Sequence, residues 1–316
     1  MSIVSYWVNC SAVGDTVCCV PVVKALIADG KLYKVFGSAR TCEILRICGI
    51  AENLIVQATP EEVTAFDLNG SELVGANCPG HAAYRIHLVD LFSAFPINAI
   101  LKPEEKCVAA DPELLPDISH LPLASGRYVV IGVGFAQLSR KLPLKAYTAV
   151  VNYCKDHQLD VVLLGGQRKN SQNPICFEGY PDEDCTNLID KITIAESVAV
   201  MADAACVVGI DSGLIHLASL TETPIVCGFT CVDPYYRAPY RHGIKGWGFY
   251  PVEPRSDCKY CTNRLSMFGV AFDVKCPFGK GYECATSLHA DDYVAKLKMA
   301  LSTKVRIPTP KEWADE

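Results

Sequence analysis

Val207-Val-Gly-Ile-Asp-Ser-Gly-Leu-Ile-His-Leu-Ala-Ser-Leu-Thr-Glu-Thr-Pro-Ile-Val-Cys-Gly-Phe-Thr230 reads as a strand, a tight turn, a helix and a second strand. The first apolar run ends at Gly209-Ile210, and the second starts after Pro224. Between them Asp211 or Ser212 is placed to cap the helix, and Gly213 lets the backbone approach a ligand closely. The first N–H groups of such a helix have no partner within the helix. With the helix dipole they favour an anion such as a diphosphate. His216 lies about one turn further in, where it can face the same ligand.

Similar units recur along the chain. In the first third, Ser2–Val8, Lys31–Phe36, Leu54–Gln57 and Val63–Asp67 read as strands, and Thr16–Ala28, Thr41–Cys48 and His81–Phe95 as helices. The segment Lys102–Ser125 holds Pro103, Pro112, Pro116 and Pro122, shows little periodicity, and reads as a linker. A second series follows: strands at Tyr128–Gly132, Leu159–Leu164, Ala205–Ile210 and Pro224–Phe229, and helices at Leu144–His157 and Ile194–Ala204. Leu188–Lys191 reads as a short element, Asp233–Glu283 as loop-rich, and Asp291–Ser302 as a last helix. Alternation of this kind implies parallel sheets with crossover helices. The expected organisation is two Rossmann-like α/β domains, residues 1–122 and 123–316.

The chain has 316 residues, half of them hydrophobic, enough for two cores. No apolar run reaches the roughly 20 residues that span a bilayer, and the N-terminus lacks a secretion-signal pattern. A cytoplasmic protein, peripheral to the membrane at most, is expected, with most of its 17 cysteines reduced. Cys18, Cys19, Cys206 and Cys227 sit in apolar stretches and read as small buried hydrophobes. The net charge of −6 lies wholly in the first 120 residues, which hold 14 Asp and Glu against 8 Lys and Arg. This balance argues against sequence-blind duplex binding, which depends on neutralising phosphates.

Two further segments carry candidate chemistry. After the first strand comes Gly14-Asp15, where Asp15 reads either as a helix cap or as a carboxylate at the C-terminal edge of a parallel sheet, the place where α/β proteins bind ligands. After Tyr128–Gly132 comes Arg140-Lys-Leu-Pro143. Pro143 suits a first helical turn, and Arg140 and Lys141 could neutralise a diphosphate or simply be solvated. Gly132-x-Gly134 is too short to read as a dinucleotide fingerprint.

Taken together these segments resemble glycosyltransferase family 9, the lipopolysaccharide heptosyltransferase group. Gly14-Asp15 with Pro21 matches its GD-x(5)-P pattern. Arg140-Lys-Leu-Pro143 matches its basic-x-x-Pro element, with Leu where Trp is usual. Asp211-Ser-Gly-Leu-Ile-His-Leu-Ala218 with Pro224 matches D-[ST]-G-x-x-H-x-A, and Gly228-Phe-Thr-Cys-Val-Asp-Pro234 matches G-x-T-x-x-x-P. Residues 50–122 match no motif.

The resemblance implies a GT-B architecture, two facing Rossmann-like domains with the active site between them. It implies an inverting transfer from a nucleotide-diphosphate sugar without a catalytic metal. By position, Asp15 would be the general base and Arg140 would stabilise the leaving diphosphate. Gly14, Lys141, Asp211, Ser212, Gly213 and His216 would hold the donor. The family's nucleoside-contacting Glu has no counterpart near Gly165-Gly-Gln-Arg-Lys169. Heptose from an ADP-sugar and a lipopolysaccharide inner-core acceptor at the inner membrane face are the expected substrates. Hydroxymethylated DNA bases are an alternative acceptor, and an inactive sugar-nucleotide-binding protein is an alternative of another class. An anionic acceptor should meet a basic wall, for which Arg40, Arg46, Arg85, Lys102 and Lys106 are the candidates.

Cys258, Cys261, Cys276 and Cys284 have spacings compatible with structural zinc, with reduced thiols or with disulfides. None of these would be catalytic. His81 and His87 read as surface or wall residues. Tyr235, Tyr236, Tyr240, Trp247 and Tyr250 read as a packed aromatic loop.

Overall fold

A computed structural model describes residues 3–9, 12–76, 85–133, 138–166, 179–264 and 276–302. The first half contains β1 (Val4–Trp7), α1 (Val13–Ala28), β2 (Leu32–Gly37), α2 (Ala39–Ile47), β3 (Ile55–Gln57), α3 (Pro60–Ala65), β4 (Glu72–Gly75) and α4 (Leu88–Ile97). Its strands form a parallel sheet in the order β3-β2-β1-β4.

The second half contains β5 (Tyr128–Gly132), α5 (Leu144–Asp156), β6 (Asp160–Leu164), β7 (Thr186–Asn187), α6 (Ile194–Ala202), β8 (Cys206–Ile210), α7 (Gly213–Ala218), β9 (Ile225–Gly228) and β12 (Phe249–Val252). These six strands pair in parallel in the order β12-β9-β8-β5-β6-β7. A separate antiparallel pair, β10 (Tyr240–Arg241) and β11 (Ile244–Lys245), lies between β9 and β12 in sequence. The short helices α8 (Cys261–Arg264) and α9 (Glu283–Thr286) and the last helix α10 (Ala290–Ser302) complete the described chain.

Strand alternation splits the second sheet into two buried faces. Val129, Ile131, Val161, Leu163 and Val208 join one apolar cluster with Tyr147 of α5 and Tyr293 and Leu297 of α10. Tyr128, Val130, Val162, Leu164 and Val207 join the other, which runs on through Ile215 and Leu217 of α7 into Val17, Val20 and Val23 of α1. Both faces are covered, so β5 and β8 are buried at every position, as a central parallel strand must be.

The structure departs from the sequence reading in several places. Val63–Asp67 does not form a strand. Its start belongs to α3, which opens with a capping box: the Glu62 amide donates to Thr59 Oγ1 at 3.3 Å and the Thr59 amide to Glu62 Oε2 at 2.7 Å. α1 starts at Val13, three residues before the expected Thr16. The described part of the helix expected over His81–Phe95 begins only at Leu88, after His87 at the N-cap; His81 itself lies outside the described residues. β4 and β12 are short strands that the sequence reading missed. The segment Lys102–Ser125 is no free linker. Its Ala110 amide donates to Leu220 O at 2.9 Å and its Asp111 amide to Ile47 O at 2.7 Å, tying it to both halves.

Candidate active site

Both sheets present their C-terminal edges toward one seam. β1 leads into α1 and β8 leads into α7, and the N-terminal turns of these two helices abut. A Cβ on Gly14 would lie 2.6 Å from His216 Cδ2, and one on Gly213 would lie 3.1 Å from Val13 Cβ. Only glycine at both positions lets the backbones meet this closely.

Asp15 falls in the first turn of α1 and is not its cap, because the N-cap is Ala12. The structure therefore leaves the carboxylate half-buried at the seam. Ser212 is the N-cap of α7, but neither its side chain nor that of Asp211 makes the expected capping bond. Asp211 instead stands between two other groups. Its Oδ2 is 3.7 Å from Arg140 Nη1 and its Oδ1 is 3.9 Å from His216 Nε2. Arg140 Nη1 also donates to the Asp211 carbonyl at 3.4 Å. Lys141, next to Arg140, is half-buried. The loop carrying Arg140 is fixed from the other side by Thr230 Oγ1, which donates to Ser139 O at 2.6 Å.

His216 is pushed below the ordinary imidazole range, chiefly by burial. The carboxylates of Asp211 and Asp15 pull upward, and the guanidiniums of Arg237 and Arg140 oppose them. The ring is therefore neutral at pH 7. Its Nδ1 lies 3.8 Å from Cys18 Sγ. Two members of this group were not read as site residues: Cys18 reads from the sequence as a small buried hydrophobe, and Arg237 has no reading there. Cys18 follows Asp15 by three residues on a helix, which puts both on one face. Arg237 lies just beyond the Gly228–Pro234 motif, and that position was its only signal.

Of the expected basic wall, Lys106 is buried and ion-paired with Asp90 at 2.7 Å, and Arg46 is paired with Glu52 at 2.6 Å. Arg40 and Lys102 are exposed, and Arg85 Nε donates to Asn263 O at 2.6 Å. Gln167, Arg168 and Lys169, where a nucleoside contact was sought, lie outside the described residues, as does Gly134. His87 is not a surface residue but buried, and Tyr240 packs edge-on against it with centroids 4.9 Å apart.

Cys258, Cys261 and Cys284 lie within one another's electrostatic reach, and Cys231 joins them. Burial first, and the neighbouring thiols second, raise Cys261 to about 11 and Cys284 to about 12. Cys276 differs: burial is outweighed by the N–H groups of Tyr282, Phe278, Lys280 and Gly279, which hold it below the usual thiol range. Among the described residues no group of three or more His, Cys, Asp or Glu side chains is arranged to hold a metal ion.

Two parallel sheets joined at one seam, with a carboxylate on one half and an arginine–aspartate–histidine group on the other, define a protein of the GT-B fold. The chain belongs to glycosyltransferase family 9 (heptosyltransferase), whose profile residues 101–264 match. Lipopolysaccharide heptosyltransferase 3 of Escherichia coli is 28% identical over 135 residues, which cover 41% of this chain and 39% of that protein. The fold is shared with the iron-containing dodecameric glycosyltransferase TibC of enterotoxigenic E. coli, at a TM-score of 0.69 and 14% identity over 96% of this chain and 78% of that one. It is also shared with a family 9 glycosyltransferase of Veillonella parvula, at 0.64 and 12% over 95% and 98%. E. coli heptosyltransferase WaaC with ADP gives 0.54 and 14% over 79% and 92%. Among the described residues no helix is long and apolar enough to cross a membrane.

Proposed function

We propose that this chain is an inverting glycosyltransferase that moves a sugar, heptose, from an ADP-sugar to a hydroxyl of a lipopolysaccharide inner-core acceptor at the inner membrane face. The observation that carries the reading is the meeting of the α1 and α7 tips, which brings Asp15 within electrostatic reach of His216, itself beside Asp211, whose other carboxylate oxygen faces Arg140. Family membership and the ADP ligand of the structural neighbour WaaC support the choice of donor.

In this reading Asp15 accepts the proton of the acceptor hydroxyl as its oxygen attacks the anomeric carbon. The carbon–oxygen bond to the diphosphate breaks on the opposite face, so the anomeric configuration inverts. Negative charge grows on the departing nucleoside diphosphate. Arg140 meets that charge, with Lys141 behind it, and the N–H groups at Ser212 and Gly213 add their dipoles. Neutral His216 contributes a hydrogen bond without competing for the Asp15 proton. Asp211 would repel a diphosphate directly, so its role is to hold the Arg140 guanidinium and the His216 ring in place. Cationic side chains here do what a metal does elsewhere, so transfer is expected without added Mg²⁺. The division into domains at 1–122 and 123–316 puts the base on one and the donor seat on the other.

The test combines binding and turnover. Thermal shift with ADP-, UDP- and GDP-sugars should single out an ADP-sugar, since a ligand at 100 times its dissociation constant adds about 2.7 kcal/mol. Asp15→Asn should keep that shift while turnover on inner-core acceptor falls by roughly 10²-fold or more. Unchanged turnover removes Asp15 from the mechanism. A shift without any transfer identifies a binding protein instead.

A further inference from the structure

Arg237 ends the turn Pro234–Tyr236 that follows β9, the strand beside β8 in the sheet. Its amide donates to Pro234 O at 3.0 Å, which closes the turn. Only 8% of it is exposed. An arginine this deep ordinarily has a carboxylate partner, because removing a guanidinium from water is expensive. Arg237 has none among the described residues. Its one hydrogen bond there runs from Nη1 to the neighbouring Tyr236 carbonyl, at 3.2 Å, and most of its five donors are left unused.

The surroundings show what the donors await. The next residue, Ala238, accepts a hydrogen bond from His87 Nε2 of the first half at 2.8 Å, so Arg237 stands where the two halves join. His216 on one side and His87 on the other both feel its charge. Arg140 also acts on His216, but Arg140 is held by Asp211. Of the two guanidiniums, Arg237 is the one with its fork available.

We propose that Arg237 is a second anion-binding residue of the site, taking a phosphate oxygen of the substrate in its fork. The inference rests on the transferase reading above and deepens it. A planar fork suits two oxygens of one phosphate. A phosphate could come from the donor diphosphate or from a phosphorylated acceptor, and the assignment covers both.

The experiment uses the full chain and its Arg237→Met and Arg237→Lys variants. Apo unfolding is measured first. A guanidinium waiting for a ligand contributes little to the empty fold, so Arg237→Met should unfold at the same temperature as the wild type or higher. A purely structural arginine would give the opposite result, and a clear loss of apo stability overturns the proposal. Pyrophosphate and ADP are then titrated by calorimetry, and KM is measured for the donor and for phosphorylated acceptor. Arg237→Met should weaken either the two diphosphates or the acceptor KM by roughly tenfold to a hundredfold, with Arg237→Lys between it and the wild type. Loss on the diphosphates identifies the donor as the source, and loss on the acceptor KM alone identifies the acceptor. Wild-type values on all of these overturn the proposal. A wild-type chain that binds neither pyrophosphate nor ADP and transfers no sugar overturns the transferase reading itself.

Discussion

Burial keeps the His216 ring neutral, and one of the groups that touch it is a thiol. The imidazole is neutral, and its Nε2 points toward the Asp211 carboxylate, which can only accept. A proton on Nε2 suits that side of the ring and leaves Nδ1 to accept from the Cys18 S–H, 3.8 Å away. Cys18 is thus a positioning residue for the ring. Cys18→Ser preserves a donor and should leave the tautomer intact. Cys18→Ala should mix the tautomers, visible in the ¹⁵N shifts of His216, and lower kcat/KM by about fivefold or less, the worth of one weak hydrogen bond. If Ser and Ala give the same ¹⁵N spectrum, the thiol plays no part. No local pattern points to this contact. Among 17 cysteines the apolar context of Cys18 fits a small core residue, and it is indeed buried; what it touches comes from a residue 198 positions away. Asp15, Arg140, Asp211 and His216 were legible because each follows a strand end in a patterned turn. Arg237 follows no strand directly and its turn is common, so only burial without a partner exposes it.

At the scale of elements, strands that are apolar runs between turn residues were readable, and β4 and β12 were not. β5, β6, β8 and β9 are four- or five-residue apolar runs between turn residues. β4 reads Glu-Leu-Val-Gly and pairs with β1, its one partner among the described residues, so its existence depends on a strand that no local pattern names. α3 overlaps the stretch Val63–Asp67 that reads as a strand, although Thr59-Pro-Glu-Glu62 spells a helix start. The hairpin of β10 and β11 turns through His242 and Gly243, both at positive φ (51° and 75°), the geometry of a tight two-residue connection. The contact between α1 and α7 is where element packing becomes chemistry. Gly14→Ala would put a methyl 2.6 Å from the His216 ring, which is held by Cys18 and Asp211 and has little room to yield. Stability should fall by about 1–3 kcal/mol, as for other overpacked sites, and turnover should fall with it. Gly213→Ala meets Val13 Cβ at 3.1 Å and should cost less, since a shift of a few tenths of an ångström relieves it. Equal melting temperatures for Gly14→Ala and wild type would mean that the helix tips are not in contact.

Across the whole molecule the two halves share an apolar cluster and a few polar ties, and the ties make their union sensitive to pH. The Ala195 amide donates to Glu43 Oε1 at 2.8 Å, the Gly243 amide to Cys107 Sγ at 2.8 Å, and His87 reaches Ala238 O. His87 carries the pH dependence. Its Nε2 donates to that carbonyl, and its Nδ1 accepts from the Val89 amide at 3.3 Å. Both nitrogens are used, and only the neutral ring can use them in this way. A second proton would face the Val89 N–H donor. Burial, helped by the charges of Arg237, Lys245 and Lys106, drives the group to about 3, although the bond to Ala238 opposes this. In the unfolded chain the ring titrates near 6.5. The folded value is the lower one, so the unfolded state binds the proton first. The contribution of His87 to stability is complete above pH 6.5 and is lost as pH falls toward 3, at up to about 1.4 kcal/mol per pH unit. Denaturant unfolding at a series of pH values should therefore show a slope between pH 6 and 4 that His87→Gln flattens. Gln can keep a donor toward Ala238 without gaining a charge. Parallel slopes for the two chains in that window would place the acid sensitivity elsewhere, and the halves would then be joined without this histidine as their sensor.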